Sequence, residues 1–251
     1  MDLQLAQKTA IVTGGASGIG RSIARLLVAE GARVVIADLQ EEKGAEVVFD
    51  IKSNGGDAVF IHTNTAVRED VKSLVETTLK DYGGIDALFN IAGPGAVGGQ
   101  LDTDDNEFNK QINGHLKGVM LCTQAVLPHM IEKKSGKIVN MGSFAAFGAL
   151  DGIPAYCAAF GGIIAYTLSV GRFAAAHNIN INSVSPGNIL TPMTINWLSE
   201  AGNMENVVKN IPIGRVGAPE DIASVCVFLA SELARHVVAT NVHVNGGQFI
   251  G

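Results

Sequence analysis

The sequence predicts an α/β fold: a single domain built as a doubly wound parallel sheet of about seven strands with helices on both faces. Short apolar runs rich in β-branched residues alternate with helical periodicities from one end to the other. A glycine-rich stretch, Thr13-Gly14-Gly15-Ala16-Ser17-Gly18-Ile19-Gly20, joins the first such run to the first helix. An acidic residue, Asp38, closes the second run about twenty positions later.

Thr9-Ala10-Ile11-Val12 reads as a buried strand, and Ile23, Ala24, Leu26, Leu27 and Ala29 repeat at helical spacing until Gly31. The stretch between them is therefore a strand–helix turn. Gly14 lets the chain turn sharply, Gly18 leaves room for a pyrophosphate near the backbone, and Gly20 lets helix and strand pack closely. Ser17 and Ile19 lie in the same loop, where the N-terminus of a helix turns free N–H groups toward phosphates. Arg33-Val34-Val35-Ile36-Ala37 is a second strand ending at Asp38. A carboxylate there accepts both hydroxyls of an adenosine ribose and repels a 2′-phosphate, so the pattern reads as a Rossmann site that prefers NAD(H) to NADP(H). Arg21 and Arg33, the nearest cations, read as solvated charges.

A helix over Glu41 to Ser53 stops at Asn54-Gly55-Gly56 and leads to a strand, Ala58 to His62. A helix over Glu69 to Tyr82 stops at Gly83-Gly84 before the strand Ala87 to Ile91. A helical stretch from Thr103 to Lys133 is expected to bend near Pro128. The strand Lys137 to Met141, a helix over Pro154 to His177 and the strand Ile179 to Val184 follow. A helix around Pro219 to Ser231 precedes a last strand, Asn241 to Val244. Such sheets bind ligands beyond the carboxyl ends of their strands, where strand order reverses. That rim collects Gly14 to Gly20, Asp38, Asn64, Asn90 to Gly93, Ser143 and Pro186 to Thr191.

A chain of 251 residues, 47% hydrophobic and 17% charged, is enough for one large core. A net charge of −6 leaves no basic footprint for nucleic acid. The opening Met1-Asp2-Leu3-Gln4 has no signal-peptide character, and no uninterrupted apolar run is long enough to span a bilayer. Cys122, Cys157 and Cys226 are odd in number and lack metal-ligand spacing, and the six histidines form no ligand pair. The expectation is a cytoplasmic protein with reduced thiols, no membrane partner and no catalytic metal.

The motifs on this rim resemble those of the short-chain dehydrogenase/reductase family, over essentially the whole chain. They are the 13–20 turn, Asn90-Ile91-Ala92-Gly93, Asn113, Ile138-Val139-Asn140-Met141-Gly142-Ser143, Ala155-Tyr156, Pro186-Gly187-Asn188-Ile189-Leu190-Thr191 and Asn245-Gly246-Gly247. The resemblance implies an NAD-dependent oxidoreductase of a secondary alcohol or ketone. It assigns Ser143 to hold the substrate oxygen, Tyr156 to move the proton and contact the cofactor, and Asn113 to hold a relay water. Asn90, Ala92 and Gly93 would line the cofactor with Pro186, Gly187 and Ile189, while Thr191 would hold the nicotinamide carboxamide. Asn64 stands where the family often has an aspartate near the adenine. Homotetramers are common in the family.

At one position the chain departs from the family. The segment reads Tyr156-Cys157-Ala158-Ala159-Phe160, with Phe160 where the family has a lysine one helical turn after the tyrosine. A phenol with a reference pKa of about 10 needs a nearby positive charge to act as a base at neutral pH. No Lys or Arg occurs anywhere from Ile138 to Gly171 to supply it. Three readings stay open: an engineered dehydrogenase with its lysine replaced, a non-redox enzyme (isomerase, lyase or cyclase) or NAD-binding pseudoenzyme on the same scaffold, or a weak dehydrogenase with a substitute group. His115 and Arg172 are the nearest substitutes, but a regular helix turns His115 about 200° away from Asn113. The stretch from 189 to 210 reads as a substrate lid. With Phe144, Phe147 and Leu150, its Leu190, Met193, Ile195, Trp197, Leu198 and Met204 imply a largely apolar pocket.

Overall fold

The computed structural model describes residues 2–95, 99–148, 150 and 152–249. The strands β1 (Thr9–Thr13), β2 (Arg33–Asp38), β3 (Asp57–His62), β4 (Ala87–Asn90), β5 (Gly136–Met141), β6 (Ile179–Pro186) and β7 (Asn241–Val244) form one sheet in the order β3-β2-β1-β4-β5-β6-β7. Every neighbouring pair runs parallel. Strand order reverses between β1 and β4, so the crevice of this fold opens there.

Helices cover both faces, because successive side chains of a strand point to opposite sides. Val12, Ile36, Phe89 and Val139 share a buried cluster with Ile23 and Leu27 of α1 (Gly18–Ala29) and with Ile222 and Val227 of α9 (Pro219–Ala230). Their strand neighbours Ile11, Val35, Leu88 and Ile138 face the other way, toward Leu74 of α3 (Arg68–Tyr82) and Leu121 and Val126 of α5 (Gly118–Lys133). The helix α2 (Glu41–Ser53) covers β2 and β3, and α6 (Pro154–Ala175) lies against β6. The described helix α6 is long and apolar enough, by length and composition, to cross a membrane, a property not read from the sequence because Gly161-Gly162 and Arg172 interrupt its apolar run. Here it packs on the sheet.

Two stretches differ from the sequence expectation. The helical run before β5 is interrupted at Ile112–Lys117, a π-helical segment between α4 (Asp105–Gln111) and α5, while α5 runs on through Pro128. The interruption lies where side chains of this run bond the turn after β4: Gln111 Nε2 donates to Gly95 O at 2.9 Å, and His115 Nε2 meets Pro94 O at 3.0 Å. The stretch from 189 to 210 contains two short helices, α7 (Ile195–Ser199) and α8 (Asn203–Lys209), whose Leu198 and Val207 pack with Ile211 in a cluster of their own.

A chain of amides and hydroxyls crosses the core. Asn90 and Asn140 are register partners on β4 and β5, and Asn90 Nδ2 donates to Asn140 Oδ1 at 2.8 Å. Asn140 Nδ2 donates to Thr167 Oγ1 at 2.9 Å, which donates on to Ile163 O at 2.8 Å in α6. These groups are buried. Asn140→Ala, which leaves the Asn90 amide only its longer 3.3 Å bond to Thr123 Oγ1 and removes the donor to Thr167, is expected to lower unfolding free energy by about 2 kcal/mol, measured by urea denaturation.

Candidate active site

A cleft of about 1210 Å³ lies along the carboxyl ends of the strands. Its walls include Gly14, Ser17, Gly18, Ile19, Gly20, Asp38, Asn64, Ala92 and Gly93 from the sequence-predicted set. They also include Asn113, Ser143, Tyr156, Pro186, Gly187, Ile189 and Thr191. Asn90 is the exception. Its side chain lies in the Asn140 network rather than on the cleft wall, because its position on β4 points it into the sheet's buried layer.

One half of the cleft is built from backbone. Gly14 adopts φ +67°, and a Cβ there would stand 2.9 Å from Ala92 Cα, so the turns after β1 and β4 touch main chain to main chain. A Cβ on Gly20 would collide with Gly14 O. Thr13 Oγ1 accepts from Ile91 N (3.0 Å) and Ala92 N (3.2 Å) and donates to Phe89 O (3.2 Å), which fixes both turns. Ser17 caps α1 in extended conformation without a side-chain cap bond, and the first turn carries no acidic residue. The helix's first N–H groups are thus left for an anion. Asp38 is nearly buried. Its Oδ2 accepts from Ala16 N and its Oδ1 from Gln40 N, each at 3.0 Å, which pins the carboxylate at the edge of the glycine turn. Asn64 Oδ1 accepts from Ala66 N at 3.0 Å, leaving its amide N–H₂ as the available group.

The other half carries the chemistry-bearing side chains. Ser143 lies two residues beyond the end of β5, and its Oγ accepts from Ala145 N at 3.1 Å, so it both caps the short turn 144–146 and faces the cleft. Tyr156 stands in the first turn of α6 with its phenol toward the Ser143 hydroxyl. Burial pushes the phenol up to about 12, and the bond with Ser143 offsets part of that rise. Phe160 is buried one turn along, with its ring centroid 4.5 Å from that of Tyr156. Thr191 N donates to Thr194 Oγ1 at 3.0 Å, and Thr194 Oγ1 donates to Ile189 O at 2.6 Å, which ties down the base of the lid.

His115 corrects the expectation that it points away from the site. The wider π-helical turn carries it into the cleft wall, edge-on to Tyr156 at 5.4 Å and tilted on Phe160 at 4.6 Å. A regular helical wheel, applied to the sequence, hides this. Burial lowers its pKa to about 4, helped by the charge of Lys110 and opposed by the bond to Pro94 O. The imidazole is neutral at pH 7. Thr13, His115 and Gln248 all shape the cleft and were not among the predicted site residues. Only Thr13, at the start of the glycine stretch, had a signal in the sequence. Among the described residues, no three His, Cys, Asp or Glu side chains gather as a metal site.

A family model described as enoyl-(acyl carrier protein) reductase matches residues 14–248. Similar curated proteins include 3-oxoacyl-[acyl-carrier-protein] reductases. That of Staphylococcus aureus (strain Mu50) is 35% identical over 244 residues, 97% of this chain and 98% of the relative. That of Chlamydia pneumoniae is 37% identical over 247 residues, 98% of this chain and 99% of the relative. The crystal structure of gox2181 matches with a TM-score of 0.95 at 33% identity, covering 98% of this chain and 97% of that one.

His115 makes folding sensitive to acid. Its folded pKa of about 4 lies below the ordinary 6.5, so the unfolded chain takes up the proton first. Stability present above pH 6.5 is lost as pH falls toward 4. The contribution reaches about 2 kcal/mol at pH 5. Urea unfolding at pH 7 and pH 5 checks it: His115→Gln is expected to shrink the difference between the two by that amount.

Proposed function

The chain belongs to the short-chain dehydrogenase/reductase family, and from that premise we propose an NAD(H)-dependent reductase of a largely apolar ketone, with Ser143 and Tyr156 holding the carbonyl oxygen. The observation that carries this reading is a neutral phenol facing a hydroxyl at one end of a cleft that begins at a glycine turn.

The residues present fit the cofactor. The open N-terminus of α1 suits a pyrophosphate, and a Cβ on Gly18 would meet only the side chains of Thr191 and Pro192. Asp38, with Leu39 and Gln40 beside it, offers a carboxylate to a ribose diol, and the nearby Lys43 ammonium is engaged by Gln40 Oε1, which supports NAD(H). Ala92, Gly93, Pro186, Gly187 and Ile189 line the path toward Tyr156, and Thr191 is placed for the carboxamide. When bound, NADH supplies the hydride.

Phe160 takes the place of the family's lysine and sets the direction of the chemistry. Tyr156 has two uncharged ring neighbours, His115 and Phe160, so its phenol keeps its proton at neutral pH. A protonated phenol is suited to donate to an oxygen that gains charge and is poor at deprotonating an alcohol. In the proposed step Tyr156 would give its proton to the carbonyl oxygen, and solvent would return a proton to the phenol. Ser143 donates to the same oxygen, and Asn113 on the same wall serves the return path.

Phe144, Leu150, Ile153, Met193, Trp197 and Val207 give the substrate end an apolar wall. The relatives named for 3-oxoacyl groups make a 3-oxo aliphatic chain a natural first candidate. Exposed Leu168 and Phe173 on α6 support a contact with a second copy in a homotetramer.

The test is NADH oxidation with a panel of aliphatic and aromatic ketones. Tyr156→Phe is expected to lower kcat by about 10²-fold or more, and Ser143→Ala by about 10²-fold. A Tyr156→Phe protein as active as the parent would sink the proposal. Because the phenol titrates near 12, ketone reduction is expected to be level with pH from about 6 to 9 while alcohol oxidation climbs throughout. Phe160→Lys would bring a cation beside the phenol, and the climb in alcohol oxidation is expected to move to lower pH.

A further inference from the structure

We propose that His115 is a positioning residue that clamps the turn after β4 to the helix beside it and holds Tyr156 in register with that turn. The inference rests on reading the turn at Gly93 and Pro94 as part of the cofactor floor.

The clamp is interlocked from both sides. A Cβ on Gly93 would run into the His115 ring, and a Cβ on Gly114 would stand 2.5 Å from Pro94 Cδ. The turn and the π-helical segment therefore fit only with a glycine on each. Pro94 O can only accept, so the 3.0 Å contact requires the proton on His115 Nε2. The Gln111 amide makes a parallel bond to Gly95 O at 2.9 Å. The same imidazole meets Tyr156 edge-on and lies tilted on Phe160. One side chain thus touches the cofactor floor, the proton donor and the ring beside it. A regular α-helix would turn this side chain elsewhere, and the π-helical segment brings it here.

Two substitutions separate the two contacts. His115→Gln keeps an N–H at a similar reach for Pro94 O and removes the ring. His115→Phe keeps the ring and removes the donor. NADH affinity is read by fluorescence titration and kcat and KM by ketone reduction. His115→Phe is expected to weaken NADH binding about tenfold, since the Pro94 carbonyl loses its partner. His115→Gln is expected to hold NADH within about threefold of the parent while kcat falls about tenfold. A merely structural histidine would lower both parameters in both variants alongside the thermal midpoint, and that outcome overturns the proposal. So does an unchanged kcat and NADH affinity in both.

The clamp has a readout that does not need the cofactor. Nitrogen-15 NMR of the histidines, with His115→Gln identifying the signal, is expected to show a neutral Nε2–H tautomer at pH 7. An Nδ1–H tautomer or an imidazolium there overturns the proposal. A parent protein that shows this tautomer and binds no NADH defeats the redox reading and leaves the clamp standing.

Discussion

The close approach of two turns governs the rest of the site. At the point where strand order reverses, Gly14 and Ala92 meet main chain to main chain, with no room for a side chain between them. A single hydroxyl, Thr13 Oγ1, takes N–H bonds from Ile91 and Ala92 and gives one to Phe89 O. The glycine turn and the β4 turn are thereby held as one backbone surface. The open end of α1 stands on one side of it, and the Ser143–Tyr156 pair stands on the other. In the proposed reaction, cofactor and substrate would meet across this floor, where small errors of placement cost rate steeply.

Within that frame the reacting end is organised without charge. The usual way to tune a phenol is a nearby cation, which lowers its pKa and readies it as a base. Here Tyr156 sits against an apolar ring and a neutral imidazole, and burial moves it the opposite way. The Ser143 hydroxyl offers only partial compensation. Such a pair makes a good hydrogen-bond donor site for a carbonyl oxygen. It makes a weak site for starting from an alcohol, because the base form is scarce at neutral pH.

Most of the fold was legible in the sequence because it is written in local signals. The βα alternation pointed to the parallel sheet, and the glycine turn with Asp38 pointed to the edge where the cleft lies. Periodicity could not show the π-helical segment, since a run with unbroken helical character and a proline at 128 pointed to a bend in the wrong place. The two short lid helices escaped for a related reason: each is too short to establish a period. In the site, the family motifs located Ser143, Tyr156 and Asn113 on the cleft wall. Asn90 carries a motif signal yet points into the core, because motif identity does not tell which side of a strand a residue faces. His115 is the converse. It lies outside any quoted motif and reaches the centre of the site through backbone geometry alone.

Phe160 and His115 are best understood together. A lysine at 160 would enter a pocket whose other walls are a buried aromatic ring and an imidazole that burial keeps neutral, with no carboxylate among the ring neighbours of Tyr156 to receive it. The phenylalanine fits that pocket by packing on both rings, and it leaves His115 free to serve the Pro94 carbonyl. His115 and Phe160 thus make one continuous aromatic wall beside Tyr156. That buried, aromatic setting keeps the Tyr156 phenol protonated. In the proposed reaction the polarity of this pocket, more than any single side chain in it, would set which way the proton moves.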